Sequence, residues 1–187
     1  MGHHPMIFDA IEFAMAAHRG QTRKGTPIPY ILHPLSAARI LLEAGCAEHV
    51  AVAAVLHDVI EDTRHSAGEL AARFGARVAE LVELATEPDK FWSWERRKQH
   101  TIDRLRATSD EEGLLVTLAD KLDNIASIRE SLARSGEQAW RRFKRGRQDQ
   151  QWYYTSLRDV YLEKLRFDPG QGLARRFDAE VRAVFGA

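Results

Sequence analysis

Val55-Leu56-His57-Asp58-Val59-Ile60-Glu61-Asp62 closes an apolar run that starts at Val50 and carries no glycine, proline or charge through Leu56. A segment apolar on nearly every side reads as a buried helix, because a surface helix needs a polar face. The pattern predicts one continuous helix over residues 47–62. On it His57 stacks over Glu61 and Asp58 over Asp62, each pair four residues apart. A buried charge costs several kcal/mol unless a partner or a metal compensates it. Three carboxylates and an imidazole at the end of an apolar helix therefore call for a cation.

Outward from this stretch the periodicity is helical almost throughout. Ile7, Ile11, Ala14, Met15 and His18 lie three and four apart and predict a first helix that stops near Gly20. Residues 21–30 hold one glycine and two prolines, which forbid a helix, and place Arg23-Lys24 in a loop. A second helix is expected to start around Pro34 and end at Gly45. Ser66 with Glu69 and Ser109 with Glu112 have capping-box spacing, and Gly75 separates two short helices. A break is expected at Glu87-Pro88-Asp89-Lys90, then an amphipathic helix entered over Phe91-Trp92-Ser93-Trp94-Glu95-Arg96-Arg97-Lys98, and helices over about 114–132, 137–143 and 148–165. Asp168-Pro169-Gly170 breaks the chain before a last helix through Phe177, Val181 and Phe185. No alternating strand pattern stands out. The expected fold is all-α, a single multi-helix domain over 6–187, with residues 1–5 a cloning remnant or disordered start.

Composition narrows the function classes. Lys+Arg and Asp+Glu both total 27, so no global charge pulls toward nucleic acid or membrane. One cysteine excludes an internal disulfide and fits a reducing cytoplasm. No apolar stretch approaches the ~18 residues of a membrane span, and no secretion signal is visible.

A bare His-Asp dipeptide carries little weight in a chain with eight histidines. Its company carries more. His33-Pro34 sits at a loop-to-helix junction, and Asp120 is a charge inside the apolar segment Leu114-Leu115-Val116-Thr117-Leu118-Ala119 onward, with Asn124 on its face. Two imidazoles and two carboxylates make a mixed N/O donor set that suits Mn²⁺, Fe²⁺ or Zn²⁺.

His33, His57-Asp58 and Asp120 resemble the H…HD…D signature of the HD-domain metal-dependent phosphohydrolases. Four ordered blocks resemble more narrowly the hydrolase domain of the RelA/SpoT alarmone enzymes and their stand-alone small relatives. They are His18-Arg19-Gly20-Gln21-Thr22-Arg23-Lys24-Gly25, Pro29-Tyr30-Ile31-Leu32-His33-Pro34, Leu56-His57-Asp58-Val59-Ile60-Glu61-Asp62-Thr63 and Leu118-Ala119-Asp120-Lys121-Leu122-Asp123-Asn124. The resemblance implies an HD-domain fold and one Mn²⁺ held by His33, His57, Asp58 and Asp120. It makes Glu61 and Asp62 the residues that orient or deprotonate water. Arg23, Lys24, Lys121 and Asn124 would line a nucleotide pocket. The implied reaction removes pyrophosphate from the 3′ position of (p)ppGpp or its adenine counterpart (p)ppApp. The implied partner is a small nucleotide, with neither nucleic acid nor membrane, in the cytoplasm.

The sequence departs from that family at Asp123, where many members carry His or an aromatic residue, and at Ser127, where Thr is common. Both lie near the expected base and ribose pocket. Two other readings stay open: an HD phosphatase for ordinary nucleotides, and a nucleic-acid-binding domain using Trp140-Arg141-Arg142-Phe143-Lys144-Arg145-Gly146-Arg147. The bland alternative for that last tract is a helix whose aromatics pack inward and whose basic face is solvated.

Overall fold

The computed structural model describes residues 6–87 and 91–186. Residues 1–5 and Pro88, Asp89 and Lys90 of the expected break lie outside the described residues. Among those described, the chain forms ten α-helices, α1 (Met6–Ala17), α2 (Leu32–Glu43), α3 (Glu48–Leu56), α4 (Val59–Asp62), α5 (Ala67–Phe74), α6 (Ala76–Ala85), α7 (Trp94–Ala107), α8 (Glu111–Ser135), α9 (Arg147–Lys164) and α10 (Gly170–Phe185). A 3-10 segment, Gly136–Arg142, joins α8 to α9. The only pairing of strand type among the described residues is an isolated bridge between Thr22 and Pro29, which closes the loop ahead of α2.

Two helices organise the rest. Every residue of α3 from Val50 to Leu56 is buried, and α1, α2, α6 and α8 all pack against it. Each fully buried Val or Leu there stabilises the fold by roughly 1.5–3 kcal/mol. A charged residue in place of Val52, which is fully buried, would break the centre. The second axis is α8, which runs 25 residues and meets α2, α3, α6 and α10. At Gly113 the approach of α6 is close: a Cβ there would stand 2.1 Å from Leu84 Cδ2, so only glycine fits unless Leu84 moves.

Three local expectations are corrected or refined. The helix over 47–62 is not continuous: it ends at Leu56 and restarts at Val59. His57 explains the break, because its Nδ1 donates to the Ala54 carbonyl (2.8 Å), the acceptor that Asp58's amide would use in an unbroken helix. The Asp58–Asp62 spacing survives, with the Asp62 amide on the Asp58 carbonyl at 2.9 Å. The Ser66–Glu69 capping box forms. Ser109 does not cap α8; Asp110 does, accepting from the Gly113 amide at 3.1 Å. Arg77 selects it by gripping both Asp110 (2.8 and 2.6 Å) and Glu112 (3.0 and 2.8 Å), a tertiary contact that no local pattern reveals. The expected helix over 137–143 is a 3-10 turn rather than an α-helix. No helix among the described residues is long and apolar enough to cross a membrane.

Candidate active site

The restart at Val59 leaves His57 and Asp58 at the mouth of the buried α3, facing α2 and α8. His33, in the first turn of α2, places Nε2 3.7 Å from Asp58 Oδ2 and 3.2 Å from Asp120 Oδ1. His57 Nε2 lies 2.9 Å from Asp58 Oδ2 and 3.7 Å from Asp120 Oδ1. His33, His57 and Asp58 each offer one donor atom within 4.8 Å of the others, and Asp120 joins them through Oδ1. Two donors each about 2.1 Å from one ion and at right angles stand about 3 Å apart, so these separations fit a shared cation. His57 Nε2 is also buried and, although 2.9 Å from Asp58 Oδ2, makes no well-aligned hydrogen bond, an arrangement that a metal bond would satisfy. The residues present therefore fit a divalent metal.

The electrostatics agree. Burial alone would push the His57 imidazole down, yet Asp58 and Asp120 outweigh it and raise it to about 9. His33 is likewise raised, against its burial, by Asp120 and Asp123. Burial would raise the Asp58 carboxyl, but His57 holds it well below the ordinary carboxylate range. Asp120 is also buried and is held low chiefly by Lys121, with the histidines adding to it. The four donors thus sit in a field that favours added positive charge.

His33, Asp58 and Asp120 line one end of a cavity of about 260 Å³, with His57 behind Asp58. Glu61 lines it, half-buried, and its Oε2 accepts from the Glu87 amide at 3.0 Å. Burial first, then the Asp58 charge, push its carboxyl up, toward the range of a working proton acceptor. Asp62 is exposed on the same wall, and its backbone carbonyl accepts from Gln21 (3.1 Å). Lys24 is exposed at the rim. Arg23, Lys121 and Asn124 also line the cavity, but each is engaged within the protein. Lys121 Nζ donates to Asp120 Oδ2 (2.7 Å), and Asn124 donates to Asp120 Oδ1. Arg23 Nη1 is bonded to Asp123, and its Nη2 donates to Asn124 Oδ1 at 3.0 Å. Nine of the ten residues given site roles from the sequence line this cavity, and the tenth, His57, lies directly behind it against Asp58.

A second cavity, of about 360 Å³, adjoins the first and shares Lys24, Lys121, Asn124, Phe143 and Tyr154 with it. It adds Arg97, Lys98, Lys144 and Arg145, and no described carboxylate lines it. The tract 140–147 feeds this wall. Trp140 is buried and stacks on Phe185, with ring centroids 5.7 Å apart, while Arg142 and Phe143 reach the metal-end cavity. Gly25 lets the loop approach: at φ +74° a Cβ would stand 3.1 Å from Arg142 Cβ. The aromatics of the tract therefore pack, as its bland reading has it, and its bases edge a cavity.

A family model for the HD domain matches residues 10–150. The chain belongs to the HD-domain family. Individual proteins resemble it further. A mouse protein named guanosine-3′,5′-bis(diphosphate) 3′-pyrophosphohydrolase MESH1 is 41% identical over 127 residues, 65% of this chain and 69% of that protein. An Aquifex aeolicus guanosine-3′,5′-bis(diphosphate) 3′-pyrophosphohydrolase is 38% identical over 133 residues, 68% of this chain but 19% of that longer protein. A solved structure of a metazoan orthologue of SpoT, described as hydrolysing ppGpp, superposes with a TM-score of 0.77 at 28% identity. That match covers 97% of each chain.

Three residues of this HD domain matter more to the site than the sequence suggested. Tyr30, quoted above only within its block, donates its hydroxyl to Asp58 Oδ2. Asp123, placed by the sequence near a base pocket, lies instead against a histidine: His33 Nδ1 donates to its Oδ2 at 2.7 Å. Glu87 pairs with Lys98 and, at 3.1 Å, with Arg97, so it joins the two cavities. For Tyr30 the only signal was its place three residues before His33. For Glu87 there was none.

Proposed function

We propose that this HD domain, read as one catalytic unit over 6–187, hydrolyses the 3′-diphosphate of (p)ppGpp or its adenine counterpart and releases pyrophosphate. The observation that carries the reading is the convergence of His33, His57, Asp58 and Asp120 donors at one end of a cavity whose other end is basic. A metal at one end and lysines at the other suit a substrate with phosphates on two arms. The names of the mouse and Aquifex relatives support the same substrate.

On this reading His33, His57, Asp58 and Asp120 hold one Mn²⁺. When bound, that ion supplies positive charge against the phosphoryl oxygens and acidifies water. The remaining work falls to the chain. Glu61, with its carboxyl raised by burial, accepts the proton as the water oxygen bonds to the phosphorus next to O3′. The P–O3′ bond breaks and the proton held by Glu61 passes to O3′, leaving a 3′-hydroxyl and pyrophosphate. Asp62, on the same wall, orients the water. Lys24 meets a phosphate at the rim. Lys121 and Asn124 hold Asp120 in place and border the nucleotide, and Arg23 presents its guanidinium to the base. The substrate is thus a small nucleotide in an aqueous cavity, with no role for nucleic acid or membrane.

The test offers ppGpp and ppApp beside GDP, ATP and dAMP with Mn²⁺ present. Pyrophosphate from a 3′-diphosphorylated nucleotide alone is the expected result, and the better substrate names the base preference. Phosphate from the ordinary nucleotides, with silence on ppGpp and ppApp, would instead make this a general nucleotide phosphatase.

A further inference from the structure

The two imidazoles of the metal cluster are held differently. His57 Nδ1 donates to a backbone carbonyl, Ala54 (2.8 Å), a support that no side-chain substitution removes. His33 Nδ1 donates to a carboxylate, Asp123 Oδ2, at 2.7 Å. That bond puts the ring proton on Nδ1 and turns Nε2 toward Asp120 and Asp58. A carboxylate behind a ligating imidazole fixes its tautomer and strengthens it as a donor.

Asp123 is itself gripped. Arg23 bonds it through Nη1, and through Nη2 donates to Asn124 Oδ1 at 3.0 Å. Asn124 in turn donates to Asp120 Oδ1, the atom 3.2 Å from His33 Nε2. The contacts close a ring: His33, Asp123, Arg23, Asn124, Asp120 and back to His33. Arg23 comes from the loop before α2, and Asp120, Asp123 and Asn124 from one face of α8. A planar guanidinium with a fixed fork is the side chain suited to hold two acceptors at once. Arg23 and Asp123 are both mostly buried, at 18% and 15% side-chain exposure, so solvent competes weakly for this contact.

We infer that Asp123 and Arg23 are positioning residues for the metal cage. Asp123 orients His33, and the Arg23 fork locks Asp123 to the Asn124–Asp120 pair, so that two metal ligands from α2 and α8 keep their spacing. The inference rests on the reading of His33 and Asp120 as metal ligands. It also gives Arg23 a task that needs no nucleotide.

The test measures Mn²⁺ affinity by chelator competition, without nucleotide, on the wild type, Asp123→Ala, Asp123→Asn, Arg23→Ala and the Arg23→Ala/Asp123→Ala double variant. Losing such a support weakens metal binding by about 10–100-fold, which is the effect expected of Asp123→Ala. Asp123→Asn keeps an oxygen for the Nδ1 proton but loses the charge, so its loss is smaller. If Asp123→Ala does not fold, Asp123→Asn decides alone. Arg23→Ala weakens binding by less than Asp123→Ala, and the double variant by no more than Asp123→Ala, because the two act through one contact. Nitrogen chemical shifts of the Zn²⁺-loaded protein should show His33 protonated at Nδ1 in the wild type, with that resonance displaced in Asp123→Ala. Aspartate variants that bind Mn²⁺ within twofold of the wild type would overturn the inference and leave the metal site standing. A wild type that binds neither Mn²⁺ nor Zn²⁺ would overturn both.

Discussion

The two ends of the cleft are built on opposite plans. The acidic end hangs on the buried helix α3, with His57 and Asp58 directly after the buried residues 50–56 and Asp120 at a buried position of α8. The basic end draws the exposed Lys24, Lys144 and Arg145, and the more buried Lys98 paired with Glu87, from three separate segments. Low-dielectric surroundings make charge effects large. Solvated lysines attract and retain phosphate but are screened by salt. The acidic end is therefore suited to chemistry and the basic end to capture. Substitutions at the two ends should separate turnover from binding.

The largest effect is expected at Asp58. Asp58→Ala should lose both metal retention, read by metal analysis after dialysis, and pyrophosphate release; a variant that keeps either would remove Asp58 from the ligand set. Next is Glu61→Gln, which should keep the metal and lower kcat by about 10²–10⁴-fold, the usual worth of a positioned proton acceptor. Normal turnover in that variant would transfer the water-handling role to another group. At the basic end, Lys24→Ala and Lys144→Ala should raise KM severalfold, by about 1 kcal/mol of lost charge-assisted contact, with kcat nearly unchanged. The difference from wild type should shrink as salt is raised from 50 to about 500 mM. A fall in kcat at constant KM would contradict the division of labour.

The smallest effect lies at the seam. Burial alone would raise the Glu87 carboxyl, but Lys98 above all, with Lys121 and Arg97, holds it below its ordinary value of 4.5. A carboxyl depressed on folding contributes stability above its ordinary value, and that stability is lost as pH falls through the lower folded value. Urea midpoints of the wild type should thus fall below pH 4.5 more steeply than those of Glu87→Gln. Equal slopes would show that Glu87 couples the two ends without contributing to acid lability.

The same contrast explains what the sequence could tell. The apolar run and the all-α fold are legible because buried helices leave long, clean patterns, whereas the meeting of His33, His57, Asp58 and Asp120 is legible only through the resemblance of their blocks to the HD-domain signature. The break at His57-Asp58 is not, since it depends on a ring nitrogen taking the Ala54 carbonyl. Nor is the choice of Asp110 over Ser109 as a cap, which Arg77 makes from another helix. Asp123 stands out in sequence only as a departure near a base pocket. Its bond to His33 spans 90 positions, and periodicity carries no information at that range. The basic cavity is legible only in pieces: Lys24, Lys121 and the 140–147 tract stand out in the sequence, but their meeting with Arg97 and Lys98 of α7 is a tertiary contact that no local pattern carries.

The most direct test of the account is pyrophosphate release from ppGpp by the wild-type protein in Mn²⁺, after chelation, and after Mn²⁺ is returned. The account predicts release, its loss on chelation and its recovery. Release that persists at full rate in the chelated protein would contradict a metal held at His33, His57, Asp58 and Asp120 as the centre of the chemistry.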